Sequence, residues 1–169
     1  MSTRSIKDLA PKINIISLEQ QVHILINNQR IAYGLHFLKF DPTLTIIARK
    51  HSMDMSQNNY FSHTNLAGDS PTERGKIAGF SCGKNFGNYL TDGIAENISQ
   101  SFLYNAVTYL NHNPHYHWNT VDSIAKSTVK GWMKSPGHRK NILKQTYESE
   151  GIGAAISEEG KVFVTQNFF

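Results

Sequence analysis

The sequence predicts a mixed α+β domain, in which helices dominate the first two thirds and strands close the chain. One observation is that three segments pair a helix-capping residue with a proline, which is typical of a helix start. These pairs are Asp41-Pro42, Ser70-Pro71 and Ser135-Pro136. The other is that two β-prone runs, residues 151–156 and 161–169, are separated by residues 157–160, a pattern that indicates a hairpin.

Length and composition predict one folded domain. The chain has 169 residues, of which 39% are hydrophobic, with nine Phe and seven Tyr, enough for a sizeable core. Residues 1–15 resemble a loose arm, and residues 16–169 form the domain. Cys82 is the single cysteine, so an intrachain disulfide is excluded. The net charge of +4 is too mild to indicate a nucleic-acid partner.

The first two long helices are predicted from capping residues and from the spacing of apolar side chains. Ser17 and Gln20 have the spacing of a capping box, and Gly34 marks the end of the helix they begin. Asp41 caps the next helix, and His51 shares a face with the apolar residues of that helix. We therefore expect His51 to be a structural, hydrogen-bonded residue at the edge of the core.

The middle of the chain gives weaker signals. Ser70 and Glu73 form a capping box for a short helix that ends near Gly79. Residues 81–93 are predicted to be a loop, residues 94–99 a short strand that carries Glu96, and residues 104–118 have no clear assignment. Asp122 or Ser123 is expected to cap the helix that contains Trp132.

The segment around residues 131–143 predicts two helices separated by a sharp break. Ser135 is a suitable N-cap and Pro136 suits the first helical position, so His138 falls in the first turn. A helix N-terminus disfavours the imidazolium form, and a neutral imidazole is what a metal ligand or a base requires. A packed or solvated side chain is the ordinary alternative.

Several motifs, in one order along the chain, resemble a known family. They are Leu44-x2-Ile47-Ala48-x2-His51-Ser52-x-Asp54-Met55-x4-Tyr60-Phe61-Ser62-His63, Ser70-Pro71-x2-Arg74, Ala95-Glu96-Asn97-Ile98, Trp132-x2-Ser135-Pro136-Gly137-His138-Arg139-x-Asn141-Ile142-Leu143, Gly151-Ile152-Gly153 and Thr165-Gln166-x-Phe168. From about residue 17 onward the chain resembles the CAP superfamily of cysteine-rich secretory, antigen and pathogenesis-related proteins, in its disulfide-poor prokaryotic branch. The resemblance implies an α–β–α sandwich with a small antiparallel sheet between helical layers, and an insertion around residues 100–122.

The resemblance also implies a cleft lined by two histidines and two glutamates. Carried onto this chain, the histidines are His63 and His138 and the first glutamate is Glu96. The position of the second glutamate holds Ser135 here, as it often does in prokaryotic members, which removes one carboxylate.

Two imidazoles and one carboxylate are a set that binds zinc or another divalent ion. The first hypothesis is an extracellular binding module whose cleft, built on His63, Glu96 and His138, holds such an ion. The resemblance does not identify its ligand, for which a lipid, a sterol and an envelope component are candidates. The second is a metal-dependent hydrolase, peptidase-like, with the same cleft, although no second carboxylate is assigned to handle the water proton. The third possibility for these residues is a buried hydrogen-bond network.

A basic stripe on one helix suggests a further partner. Lys126, Lys130 and Lys134 recur at four-residue spacing, so they lie on one helix face, which is either an ordinary solvated surface or a docking site for an anionic envelope surface.

Residues 1–12 contain no apolar run, so no signal peptide is predicted, and no segment is long enough to span a bilayer. An extracellular or envelope location follows from the resemblance alone.

Two other patterns are interpreted as incidental. Residues 79–83 match the G-x-S-x-G pattern of a nucleophile elbow around Ser81, but the expected strand before and helix after it are missing. His112, His115 and His117 form a dense cluster that could bind a transition metal. Because Pro114 interrupts regular structure there, a solvated loop is the simpler expectation.

Overall fold

A four-stranded sheet lies between two layers of helices in the computed structural model, which describes residues 5–85 and 90–169. The helices are α1 Ile6–Leu9, α2 Ile15–Ala32, α3 Pro42–Asn58, α4 Pro71–Ile77, α5 Val121–Lys134 and α6 Pro136–Ile142. The strands are β1 Lys39–Phe40, β2 Gly83–Asn85, β3 Leu90–Asp92, β4 Ala95–Phe102, β5 Tyr104–Leu110, β6 Asn113–Trp118, β7 Ser149–Ile156 and β8 Lys161–Phe168. The main sheet has the order β1-β7-β8-β4 and is antiparallel except for the β1–β7 pair.

The alternation of side chains along β7 shows how the two layers form. A Cβ atom at Gly151 or Gly153 would lie 2.2 or 2.0 Å from backbone atoms of α3, so α3 rests directly on that face of the sheet. The alternate residues Ile152 and Ala154 point the other way, into the core formed with α2 and α5. The predicted α–β–α sandwich is therefore confirmed.

The main core lies between the sheet and the layer that contains α2 and α5. Its buried residues are Leu18, Val22, Ile26, Leu38, Leu103, Ile124, Ala125, Val129, Trp132, Ile142, Ile152, Ala154, Val162, Val164 and Phe168. Burial of each Val, Leu, Ile or Phe side chain in this list stabilises the fold by about 1.5–3 kcal/mol. This core fixes α5, and through it the break and α6, against the edge of the sheet.

The N-terminal boundary differs from the prediction. Asn14, not Ser17, is the N-cap of α2, because its side chain accepts the backbone N–H of Ser17 at 2.9 Å. Ser17 therefore lies inside the first turn, and the arm ends one residue earlier than expected. Within the arm, Ile6–Leu9 form the one-turn helix α1, which an ion pair between Lys7 and Glu158 ties to the β7–β8 turn.

Of the other caps predicted before α6, two are confirmed and one shifts. Asp41 caps α3, and the Ser70–Glu73 capping box begins α4. The cap of α5 is Thr120 rather than Asp122 or Ser123. Ser123 instead supplies the second half of a reciprocal box, a Thr–Ser pair that falls outside the usual Ser/Thr–Glu/Gln pattern.

Two segments that lacked a strand assignment contain hairpins. β2 pairs with β3, so the predicted loop over residues 81–93 is wrong at residues 83–85 and 90–92, and residues 86–89 lie outside the described residues. β5 pairs with β6 across a turn in which Asn111 and His112 both have positive φ. A histidine at such a position is not a usual hairpin signal, which explains why the sequence did not reveal it.

Across residues 5–85 and 90–169, none of the helices combines the length and the apolar character needed to cross a membrane.

Candidate functional site

The site is centred on Glu96, the second residue of the edge strand β4. Its side chain is 1% exposed and both carboxylate oxygens are engaged. Oε1 lies 2.9 Å from Nδ1 of His63, and Oε2 accepts a hydrogen bond from Arg74 at 2.5 Å. His51 approaches the same carboxylate, with its Nε2 3.9 Å from Oε1. Glu96 is thus a buried anion surrounded by one guanidinium and two imidazoles.

His63 is the exposed member of this group, since half of its side chain is accessible. A carboxylate can only accept hydrogen bonds, so Nδ1 of His63 carries the proton of the contact and Nε2 of the neutral ring keeps a free lone pair. Arg74 also donates to the backbone oxygen of His63 at 2.7 Å. Both the ring and the backbone of His63 are therefore held by the pair Glu96–Arg74.

His138 is the third residue of α6, as predicted. Ser135 ends α5 and begins α6 with an extended backbone, at φ −86° and ψ 120°, which produces the sharp break. Its side chain makes no capping hydrogen bond, so the expectation that Ser135 caps α6 holds for its position and not for its hydroxyl. The proline at the first helical position and the packing of Ile142 define the helix instead.

A buried amide network ties α6 to the sheet beside Glu96. Asn97 donates to the backbone oxygen of His138 at 3.2 Å and to Oε1 of Gln166 at 3.1 Å. Asn141, from the last turn of α6, donates to the side-chain oxygen of Asn97 at 3.0 Å and to the backbone oxygen of Glu96 at 3.3 Å. His138 is consequently positioned by its backbone against the strand that carries Glu96.

Two of the histidines have a lowered pKa. Burial lowers the pKa of His138, and the positive charge that His63 carries when it is protonated lowers it further. The neutral form is thus favoured as predicted, but through burial and a like charge rather than through the helix terminus. Burial also lowers the pKa of His51, against an opposing effect of Glu96. Nε2 of His51 donates to the backbone oxygen of Ser62 at 2.9 Å, in keeping with its expected structural role.

Of the three predicted site residues, two are in direct contact and the third lies near them. His63 and Glu96 are in direct contact, and His63 is close enough to His138 for its charge to lower the pKa of that ring. Among the described residues, no group of three or more His, Cys, Asp or Glu side chains is arranged to hold a metal ion. Glu96 contacts His63 through one carboxylate oxygen and Arg74 through the other in this structure.

Sequence reasoning assigned no role to Arg74 or to Asn97, although both belong to the family motifs. Arg74 neutralises the buried carboxylate, and Asn97 holds the backbone of His138. A signal was present, because a carboxylate expected to be buried requires a cationic or hydrogen-bonding partner. Only the fold shows which residue supplies it.

A groove lies next to His138, with a volume of about 550 Å³. It runs between the outer edge of β4 and the C-terminal half of α5. Its lining includes Phe61, Gln100, Thr128, Trp132, Ser135 and His138.

The incidental patterns stay separate from this site. Ser81 follows the short helix α4 and precedes strand β2, which is not the strand-turn-helix setting of a nucleophile elbow. His115 and His117 are exposed on β6, whereas His112 lies in the hairpin turn. The expected solvated loop is thus an exposed hairpin. Lys126, Lys130 and Lys134 are exposed on α5, as predicted.

A known protein family matches most of the chain. Residues 23–168 match the profile of the cysteine-rich secretory protein family, CAP. The chain belongs to the CAP family.

Two curated relatives of this CAP domain come from Bacillus subtilis (strain 168). The uncharacterized protein YkwD is 32% identical over 153 residues, which are 90% of this chain and 48% of YkwD. The uncharacterized membrane protein YlbC is 31% identical over 150 residues, 89% of this chain and 34% of YlbC. The chain thus spans half or less of the length of these relatives.

Solved structures agree on the fold. A CAP-type protein from Bacillus anthracis, described as an extracellular protein containing a SCP domain, is 27% identical with a TM-score of 0.65, and the match covers 92% of this chain and 41% of that one. An outer surface protein from Borrelia burgdorferi is 16% identical with a TM-score of 0.67, covering 94% and 96% of the two chains, and it supports the fold alone.

Proposed function

We propose that this CAP domain is an extracellular binding module whose cleft uses His63 and His138 to hold a divalent metal ion such as zinc. The observation that carries the proposal is the hydrogen bond from Nδ1 of His63 to the buried Glu96 at 2.9 Å. A carboxylate behind a histidine fixes the tautomer and the orientation of the ring and makes the other nitrogen a better metal ligand.

His138 also has a property that a metal ligand needs. A metal ligand must be a neutral imidazole, and burial lowers the pKa of His138. Two imidazoles with water in the remaining positions suit zinc and also nickel or copper. An ion of this kind would supply a Lewis-acidic point at which an oxygen of a ligand can bind.

Glu96 fits the role of a positioning residue better than that of a direct ligand. Its Oε2 is paired with Arg74 and its Oε1 with His63, in a side chain that is 1% exposed. Direct coordination would require it to leave at least one of these partners and would leave a buried charge unpaired, which is costly. The carboxylate therefore acts through His63.

The ligand of the module is proposed from its surroundings. An extracellular or envelope location is supported by the extracellular relative from Bacillus anthracis, and an envelope component, a lipid or a sterol is then accessible to the cleft. Lys126 and Lys130 border a shallow pocket with Leu25 and Met133 between α2 and α5. A cationic rim around apolar side chains suits an anionic amphipathic surface.

Metal binding tests the proposal directly. Purified protein is freed of metal and titrated with Zn²⁺ in a calorimeter, for the wild type and for His63→Ala and His138→Ala. One ion per chain is expected for the wild type, with binding lost in both variants, whereas Glu96→Gln should weaken it by about 10–100-fold. His115→Ala is the matched control, because it removes an exposed histidine on the separate β5–β6 hairpin. Unchanged binding in both site variants would overturn the proposal.

The hydrolase hypothesis lacks a supporting observation. It requires a group that handles the water proton, and the carboxylate nearest to His63 already has both oxygens engaged. Incubation of the zinc-loaded protein with a peptide library decides between the two. Turnover that disappears with a chelator and in Glu96→Ala would establish the hydrolase in place of a purely binding role.

A further inference from the structure

The outer edge of β4 is the feature that carries a further inference. In the order β1-β7-β8-β4, strand β4 lies at the end of the sheet and pairs with β8 on one side. In an antiparallel strand the N–H and the C=O of one residue point to the same side, and this side alternates along the chain. Every second residue of β4 therefore turns its main-chain groups away from β8.

Contacts to the carbonyl groups identify which residues these are. The oxygens of Glu96, Ile98 and Phe102 accept hydrogen bonds from side chains outside the sheet. The donors are Asn141 at 3.3 Å, Trp132 at 3.0 Å and Asn119 at 3.0 Å, respectively. The outward-facing set is therefore 96, 98, 100 and 102, and three of its four carbonyls have partners.

Gln100 is the gap in this series. Among the described residues, no side chain and no backbone group from outside the sheet bonds to its N–H or C=O, and the residue is exposed. An edge strand with a free donor and acceptor side by side is a template for another strand. The side-chain partners on either side confine this template to the part of β4 around Gln100.

The groove beside His138 lies along this same part of β4. Ile98, Ser99 and Gln100 line it from β4, and Thr128, Gly131 and Trp132 line it from α5. Phe61, which is 48% exposed, provides an apolar contact on the lining. Thr128 is 3% exposed, and its hydroxyl oxygen has no hydrogen-bond partner among the described residues. The groove therefore combines a free main-chain pair, an unpaired buried hydroxyl and an exposed aromatic ring.

We infer that this groove binds an extended peptide segment, which adds to β4 as a short strand at Gln100. A peptide main chain offers a C=O for the N–H of Gln100 and an N–H for its C=O, with the spacing that a strand requires. Its alternate side chains then point toward Phe61 and toward α5. The inference goes beyond the proposed function, because it adds a peptide ligand in the groove beside His138. It does not depend on a bound metal ion.

A variant that lacks the outward N–H of residue 100 tests this inference. Gln100→Pro removes that N–H and leaves the ladder to β8 intact, since proline is tolerated where the N–H of an edge strand faces outward. Gln100→Ala is the matched control, because it keeps the N–H and removes only the side chain. Fluorescein-labelled heptapeptides from a random library are ranked by anisotropy against the wild type in the presence of EDTA. The tightest binder is then titrated against both variants.

We expect the affinity to fall at least about tenfold in Gln100→Pro and to stay within about threefold in Gln100→Ala, because only the proline removes a main-chain hydrogen bond to the peptide. Absence of any binding peptide, or equal binding by Gln100→Pro, would overturn the inference. Because EDTA is present throughout, failure of the metal proposal does not affect this result.

A second measurement covers the case in which Gln100→Pro proves unstable in a thermal-unfolding control. The selected peptide is methylated at each backbone nitrogen in turn and titrated against the wild type. Strand addition at Gln100 predicts a loss of affinity at one position, the N–H that faces the carbonyl of Gln100, because the carbonyls of Ile98 and Phe102 already accept hydrogen bonds. Equal losses at neighbouring positions, or no loss at any position, would show that the peptide does not pair with Gln100.

Discussion

Nδ1 of His63 lies 2.9 Å from Oε1 of Glu96, and half of the histidine side chain is exposed while the glutamate is 1% exposed. The two residues are 33 positions apart and belong to different elements. A ring at the surface is thus oriented by a charge in the interior. This relationship is the basis of the metal proposal. The contribution of the buried Glu96 to the free energy of unfolding can be measured separately from ligand binding.

Removal of the buried charge should destabilise the protein. Glu96→Gln leaves Arg74, whose side chain is 9% exposed, without an anionic partner. Loss of one member of a buried ion pair costs about 3–5 kcal/mol, and we expect a decrease near the lower limit in the free energy of unfolding, measured by urea titration. The control Glu158→Gln breaks the exposed pair with Lys7 and should change it by at most about 1 kcal/mol. An equal effect of both substitutions would contradict the buried-pair interpretation.

Gly153→Ala should prevent correct packing of α3 on the sheet. The added Cβ would lie 2.0 Å from the backbone nitrogen of Arg49, and neither the helix nor the strand backbone can give way easily. We expect a loss of several kcal/mol or no folded protein, as judged by circular dichroism and thermal unfolding.

Gly131→Ala should raise the stability of the protein, whereas Gly153→Ala should lower it. Gly131 lies within α5, and nothing occupies the 4 Å around its Cβ position. Alanine in a helix interior is more favourable than glycine by about 0.5–1 kcal/mol, so the melting temperature should rise. Similar losses in both variants would show that the contact with α3 is not the cause.

The pKa of His138 should respond to His63. Because the charge of His63 disfavours protonation of His138, His63→Ala should raise the pKa of His138 toward its ordinary value while leaving it below that value, since burial remains. Two-dimensional NMR of the imidazole nitrogens measures the shift. No change would mean that the two rings do not interact.

The same shift affects stability. A pKa lowered on folding means that the unfolded chain takes up a proton first as the pH falls, so the contribution of His138 is complete above about pH 6.5 and is lost as the pH falls through the folded value. His51 acts in the same direction, because burial lowers its pKa also. The free energy of unfolding should therefore decrease from pH 7.5 to pH 5, and His138→Gln should reduce this slope.

The basic stripe on α5 should determine attraction to anionic surfaces. Lys126, Lys130 and Lys134 are exposed, although Lys126 is paired with Asp122 at 2.8 Å. Reversal of all three to Glu should abolish co-sedimentation with vesicles rich in phosphatidylglycerol, and wild-type binding should weaken steeply with salt. A variant with Lys12, Lys39 and Lys50 reversed has the same net charge and should retain part of the binding. Equal loss in both would indicate attraction by net charge alone.

Local sequence signals account for most of the helices and for the final hairpin. Asp41, Ser70 and Pro136 mark helix starts because capping and a fixed φ are properties of a few adjacent residues. The glycines of β7 belong to a recognisable sequence motif, but the motif does not explain why glycine is required there. The packed structure explains it, because a Cβ atom at either glycine would lie within 2.2 Å of the backbone of α3. The β5–β6 hairpin escaped prediction because its turn uses Asn111 and His112 at positive φ in place of glycine.

The sequence alone determined the capped helices, the closing hairpin and, through its spaced motifs, the family and the three candidate residues His63, Glu96 and His138. Only the tertiary structure decided their roles. Arg74 and His63 occupy the two oxygens of Glu96, and Asn97 fixes the backbone of His138. The partners of a buried charge come from distant segments that meet only when the core forms, so no local pattern reveals them. The free edge at Gln100 has the same origin, because a main-chain group counts as unpaired only once all its neighbours are in place.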